Sequence, residues 1–185
     1  MHNNLPRSYY FINKFDPYHL NNIDNKIAII YREYHKKIDD KLIIKIKDYC
    51  KKKGKKFLIS NNYKLAIKHN LDGVYLPSFN KNCKYNNFLR KKNFIILGSA
   101  HNVKEIREKE AQNVQAIFIS SLFNKKKNFL GLNKFKNLIF FTKKKVVALG
   151  GINKSNVKKA KLANIYGIAG ISFFSKKKAP KKGAL

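Results

Sequence analysis

The stretch "VVALGGINKSN", residues 146–156, places two glycines between a run of apolar residues and a run that reads as a helix. Val146, Val147, Ala148 and Leu149 have the continuous apolar character of a strand covered on both faces. Asn153 is a suitable N-cap for a helix carrying Val157, Ala160 and Ala163 on one side. Glycine at such a junction has two physical explanations. Either the turn needs a positive φ, or the loop must let an anion such as phosphate reach backbone N–H groups. The unit itself, buried strand then loop then helix, decides the fold class once its recurrence along the chain is counted.

Eight apolar runs of strand length occur: "SYYFI" (8–12), "IAIIY" (27–31), "FLIS" (57–60), "GVYL" (73–76), "FIILG" (94–98), "AIFIS" (116–120), "VVALG" (146–150) and "GIAGI" (167–171). Helical signals lie between them. Ile38, Leu42, Ile46, Tyr49 and Cys50 share helical spacing, and Gly54 closes that segment as a C-terminal cap. Tyr63, Ala66, Ile67 and Leu71 form a second stripe, "NVKE" from Asn102 has capping-box spacing, and the segment after Asn153 makes a fourth helix. Alternating strands and helices imply parallel pairing. Eight units favour a closed (β/α)8 TIM barrel over a doubly wound sheet. The barrel is compact, a single domain over 1–174 followed by the basic tail "SKKKAPKKGAL" (175–185), with no clear final helix. Residues 78–93 are polar and irregular and read as a surface loop or a poorly formed helix.

Length and composition agree with one globular domain, since 185 residues with 44% hydrophobic and 13% aromatic content support a core of ordinary size. The charge is extreme: 41 Lys and Arg stand against 10 Asp and Glu, a formal +31. Lys, Asn, Ile, Phe and Tyr are all heavily used, as in proteins of AT-rich coding sequence, and the lysines are spread over nearly every segment. The charge therefore reads first as solvated surface, and second as a field that attracts phosphorylated small-molecule substrates. No recognisable nucleic-acid module accompanies it, so a specific nucleic-acid partner is not expected. Two cysteines, an N-terminus without a signal-like apolar core and no apolar run long enough for a membrane span point to a cytoplasmic, non-membrane protein, with a homo-oligomer as an option.

In a (β/α)8 barrel the C-terminal strand ends face the site, and phosphate sites are common after the seventh and eighth strands. Gly150 and Gly151 end the seventh strand; Ile171 and Ser172 end the eighth. Two adjacent, small-residue strand ends favour the phosphate explanation of the double glycine.

"ISNNYKLAIKHNLDGVYLPSFN", "ILGSAHNVKE", "VVALGGINKSN" and "YGIAGIS" together resemble, in order and spacing, the family of thiamine phosphate synthase and its TenI-like relative, the thiazole tautomerase. The resemblance implies a thiazole phosphate held by backbone amides at Gly151, Ile171 and Ser172, with a pyrimidine diphosphate and Mg²⁺ beside it. It implies a transferase that joins the two after the diphosphate leaves, so that catalysis is largely charge stabilisation. Arg32 in "IIYREY" and Ser99 in "GSAHN" match diphosphate donors. Lys125, Lys126 and Lys127 stand where the family has a Thr-rich stretch ending in Lys; Lys125 is assigned to phosphate binding and Lys127 to catalysis.

The sequence also departs from that pattern. The two Mg²⁺-binding Asp positions hold Asn61 and Asn80, the strand-two Gln and Lys hold Ile30 and Tyr34, and the His after "GV" is Tyr75. Neutral amides are poor ligands for a hard dication, so no metal-ligand set is assigned and the Mg²⁺ requirement is doubtful. The tautomerase His position is Ser121. Two outcomes stay open: a synthase in which lysines meet the charge the metal would meet, or a non-catalytic binder of thiazole phosphate or thiamine phosphate. His101 fits a structural capping role, His35 and His69 surface positions on helical segments, and Cys50 the core.

Overall fold

A computed structural model describes residues 5–84, 92–125 and 129–174 of the chain. Its eight strands, β1 (Ser8–Ile12), β2 (Ile27–Tyr31), β3 (Phe57–Ser60), β4 (Gly73–Leu76), β5 (Ile95–Ala100), β6 (Ala116–Ile119), β7 (Lys145–Leu149) and β8 (Gly167–Gly170), close into a parallel barrel in chain order. Pairing of β8 with β1, Ser8 opposite Ile168 and Tyr10 opposite Gly170, completes the ring. The doubly wound alternative is thereby excluded, because an open sheet has two edges and this one has none. Lys127, much of the 78–93 segment and the tail 175–185 lie outside the described residues.

The strands are apolar along most of their length because both of their faces are buried; Ser8, Ser60, Ser99 and the exposed Lys145 are among the exceptions. Along β1, Tyr9 and Phe11 point into the barrel while Tyr10 and Ile12 pack outward against the helical layer; along β2, Ala28 and Ile30 point in while Ile29 and Tyr31 point out. The interior is unusually aromatic. Tyr9 meets Phe118 at 4.9 Å, Phe11 meets Tyr75 at 5.1 Å and Tyr75 meets Phe118 at 5.2 Å, all edge-to-face.

Six helices connect the strands among the described residues: α1 (Pro17–Asn21), α2 (Asp40–Lys52), α3 (Tyr63–Lys68), α4 (Val103–Ala111), α5 (Gly131–Phe140) and α6 (Val157–Lys161). The sequence marks α2, α3, α4 and α6. It does not mark α1, whose five residues are too few for a periodicity, nor α5, whose N-cap Leu130 makes no side-chain capping bond. Three details differ from the sequence reading. The N-cap of α6 is Asn156; Asn153 instead caps the preceding turn, its Oδ1 accepting from the N–H groups of Ser155 and Asn156. Ile67 faces solvent, and Leu71 reaches the core from beyond the end of α3. His69 is largely buried beside Asp40, with Nε2 at 3.1 Å from Oδ2, and His35 lies in an exposed loop rather than on a helix.

Four helix-to-strand turns use one device. Gly54, Asn70, Asn113 and Asn164, each just past a helix, hold positive φ. After α2 the Lys55 N–H reaches back to the Cys50 carbonyl and the Gly54 N–H to that of Lys51, which satisfies the orphan carbonyls of the last turn. Asn tolerates this conformation better than other residues with a Cβ. The repetition returns the chain to the barrel before β3, β4, β6 and β8, and the parallel pairing sets the strand C-termini at one mouth.

Candidate functional site

A cleft of about 430 Å³ lies in that mouth, over the ends of β6, β7 and β8. Gly150, Gly151 and Ile152 line it from β7, Gly170, Ile171 and Ser172 from β8, and Ser120, Ser121 and Asn124 from β6. Arg32, just past β2, and His101, just past β5, reach it from the other side. Arg32 is fixed by its own N–H, which donates to the Ile12 carbonyl at 2.8 Å, and its guanidinium stands 4.9 Å from the centre of the Phe11 ring. Among the described residues it forms no ion pair, and no Asp or Glu lines the cleft. A permanently charged donor without a counter-ion, in a wall otherwise neutral apart from His101, suits an anion. Arg32 and Ile171 also border a smaller cleft of about 290 Å³ that includes Tyr10, Lys14, Asp16 and His19.

The double glycine has a structural reason. Gly150 and Gly151 sit at φ +99° and +72°, and a Cβ on either would fall within 3 Å of the β6–α5 loop: 2.5 Å from Ser121 Oγ and 2.6 Å from the Asn124 nitrogen. The two loops are stitched together, Leu122 N–H to the Leu149 carbonyl at 3.0 Å and Phe123 N–H to that of Gly150 at 2.8 Å. Positive φ and close approach thus account for both glycines. The phosphate explanation is not displaced, because Gly151 is also exposed to the cleft.

Of the residues singled out in the sequence, Arg32, Gly150, Gly151, Ile171 and Ser172 meet around one cavity. Lys125 is exposed on the neighbouring loop, outside the cleft lining. Ser99 is buried, with its hydroxyl hydrogen-bonded to Tyr75, whose own hydroxyl is pushed well above the usual range by burial. His101 is held by Glu105, whose Oε2 accepts from the His101 N–H at 2.7 Å and lies 2.8 Å from Nδ1. The capping box at Asn102 is therefore shifted: Asn102 Oδ1 accepts from the Glu105 N–H, but the carboxylate reaches back one residue further, to His101.

On the other side of the mouth the chain's own side chains contact one another. The Tyr34 hydroxyl is 2.8 Å from Ser60 Oγ and its ring meets Phe79 at 5.3 Å. Below, Ile30 and Tyr75 belong to the packed interior. Asn61 and Asn80 do come together, but with each other: Asn80 Nδ2 donates to Asn61 Oδ1 at 2.7 Å, and Asn80 Oδ1 accepts from the Asn82 N–H and from Gln112 Nε2. A divalent metal held here would meet two neutral amides whose oxygens already carry hydrogen bonds, so these residues do not fit Mg²⁺. No cluster of three or more His, Cys, Asp or Glu offers an alternative among the described residues. Sequence reasoning missed Lys109 of α4 and Gln112 just past its end, which hold this region; one lysine among 41 basic residues carries no signal of its own.

Residues 23–174 match the family described as thiamine monophosphate synthase. The chain belongs to that family. The thiamine-phosphate synthase of Methanococcus vannielii is 35% identical over 82 residues, 42% of this chain and 40% of that one. That of Pyrococcus horikoshii is 28% identical over 123 residues, 64% of this chain and 59% of that one. The matched stretches thus span about half the length of these relatives. Thiamine phosphate pyrophosphorylase from Pyrococcus furiosus superposes with a TM-score of 0.74 at 22% identity, covering 92% of this chain and 87% of that one, which supports the barrel as the shared fold. No helix among the described residues is long and apolar enough to cross a membrane.

Proposed function

We propose that this family member binds the phosphate of a thiazole phosphate, or of thiamine phosphate, in the cleft over β6 to β8, and that it acts in thiamine biosynthesis as a thiamine phosphate synthase-type transferase. One observation carries this reading: Arg32, without a counter-ion, faces the Gly151, Ile171 and Ser172 strand ends across one cavity. In the reaction the pyrimidine methylene loses diphosphate and the thiazole nitrogen takes its place. Arg32 stabilises the leaving charge, and the loop carrying Lys125 adds to the field. Ser99, engaged by Tyr75, supports the floor of the mouth. A cytoplasmic setting accords with two free thiols, Cys50 and Cys83.

A second reading, binding of the phosphorylated ligand without turnover, is favoured by the other side of the mouth, where Tyr34, Ile30, Tyr75 and the paired Asn61 and Asn80 occupy the positions expected to serve the second substrate and its metal. The deciding experiment is an assay for thiamine phosphate from hydroxymethylpyrimidine diphosphate and thiazole phosphate, with and without Mg²⁺, alongside calorimetric binding of thiamine phosphate. Turnover supports the transferase. Binding without turnover at any Mg²⁺ concentration leaves the second reading, and absence of both overturns the proposal.

A further inference from the structure

Lys109 is a fully buried lysine on α4. Its stem crosses Gly98, where a Cβ would stand 2.6 Å from Lys109 Cδ. Its ammonium donates to the Pro77 carbonyl at 2.8 Å, the Asn80 carbonyl at 2.6 Å and Gln112 Oε1 at 2.8 Å. Three donors meet three neutral acceptors, so the group's hydrogen-bonding capacity is filled without any carboxylate. Gln112 Nε2 in turn donates to the Asn80 carbonyl, Asn80 Oδ1 and the Asn82 carbonyl, at 3.0, 3.2 and 3.1 Å. From Asn80 the path continues through its amide to Asn61, just past β3. Burying an ammonium among carbonyls is costly, and a surface loop could be fixed more cheaply by apolar packing. What the arrangement supplies is a positive charge, at a fixed place, that gathers backbone oxygens of the loop after β4.

We infer that Lys109 and Gln112 do by covalently attached donors what a bound divalent cation does in a metal-dependent site: they fix residues 77–82 and set Asn80 against Asn61, so that the mouth is organised without metal. Two carboxylates at those positions, one hydrogen bond apart, would repel each other and require a cation between them. Two amides bond each other directly. Lys109 and Gln112 are positioning residues, since their contacts are with the loop and not with the cleft.

The test has three arms. Hydrogen exchange followed by mass spectrometry compares residues 77–82 in the native chain, Lys109→Met and Gln112→Ala, with unfolding by urea measured in parallel to separate local from global loosening. Both variants are expected to lose protection in that loop while β6 to β8 keep theirs; unchanged loop protection in a folded Gln112→Ala or Lys109→Met protein overturns the inference. Mn²⁺ binding, read by electron paramagnetic resonance, is expected to be undetectable at millimolar metal in the native chain and to appear in the Asn61→Asp, Asn80→Asp double variant. Native binding that the double variant does not strengthen overturns it as well. The third arm rests on the proposed function: Gln112→Ala is expected to weaken thiamine phosphate binding by about 10-fold, with or without Mg²⁺. If the native chain does not bind thiamine phosphate, that functional reading fails, and the exchange and Mn²⁺ arms still decide this one.

Discussion

Replacing Gly151 with Ala separates the two demands that its position makes, when it is compared with Gly54→Ala. Both glycines hold left-handed φ, +72° and +62°, but a Cβ at 54 meets nothing within 4 Å, whereas one at 151 lies 2.6 Å from the Asn124 nitrogen and 2.7 Å from the Phe123 carbonyl carbon. The left-handed conformation alone costs an L-residue about 1 to 2 kcal/mol, and this applies at both sites. Forcing a methyl group into packed backbone adds about 1 to 3 kcal/mol, and this applies only at 151. Loss of unfolded-state entropy acts alike on both and cancels in the comparison. Gly151→Ala should therefore be less stable than Gly54→Ala by about 1 to 3 kcal/mol, a further fall in melting temperature of about 2 to 4 °C per kcal/mol for a chain of this size. Urea unfolding of the two variants measures the difference. Equal destabilisation, within about 0.5 kcal/mol, would show that the β6–α5 loop yields freely and that its close approach does not explain the glycine. A bulkier residue at 151 would strike the same backbone, so it reports on loop packing and not on the space left for a phosphate.

Arg32→Ala should lower turnover, or ligand affinity if the protein only binds, by roughly 10² in thiamine phosphate assays, the usual effect of removing one preorganised charged donor; an unchanged value would remove Arg32 from the site. Cys50 is buried and its thiol is pushed up to about 12 by burial, whereas Cys83 is exposed. Alkylation of the native protein at pH 8 should thus modify one thiol, found at Cys83 by peptide mapping, and rapid modification of both would contradict the packing of α2. Burial also pushes Lys109 down to about 8 from its ordinary 10.5, so between those values the unfolded chain holds a proton that the folded one has released. This group's contribution to stability consequently rises with pH across that window. The unfolding free energy of the native chain relative to Lys109→Met should climb by up to about 3 kcal/mol from pH 8 to 10.5, and a flat difference would mean that the ammonium is not desolvated.

The barrel was legible because its strands are buried on both faces, so every one of them appears as an uninterrupted apolar run, and eight such runs with parallel connections have few ways to pack. Helices were legible where apolar spacing or a capping pattern marks them, as in α2, α3 and α4, and missed at α1, whose five residues show no period, and at α5, where no side chain caps the start. The cleft residues at β7 and β8 were found from glycine and small residues at strand ends. The supporting shell was not, for a physical reason: Lys109 and Gln112 act on backbone carbonyls, which have no sequence signature, and their partners Pro77 and Asn80 are about 30 residues away along the chain. The double glycine shows a further limit. Positive φ, close loop approach and access for an anion all select glycine, so one residue type could not distinguish three causes that the structure shows to coexist or leaves compatible.

The use of asparagine bears on whether the altered mouth is a working arrangement or the residue of drift. Across this chain Asn does jobs often given to other residues: it stands at positive φ at Asn70, Asn113 and Asn164, where Gly is usual, and it caps helices at Asn62 and Asn102. Compositional pressure toward Asn is thus tolerated wherever the amide can satisfy the local geometry. At the paired positions 61 and 80 the same pressure would remove a metal site at no cost to the fold. Drift alone, however, predicts stranded polar atoms, because nothing selects partners for the amides that replace ligands. Among the described residues, the buried side-chain atoms without a hydrogen-bond partner include the Tyr9 hydroxyl and Glu108 Oε2, and none belongs to Asn80, Lys109 or Gln112, while Asn61 is exposed to water. Each of those four donates or accepts within one connected set that ends at the mouth. A network that joins a buried charge, costly to maintain, to the paired amides accords with the inference that Lys109 and Gln112 organise this side of the mouth without metal.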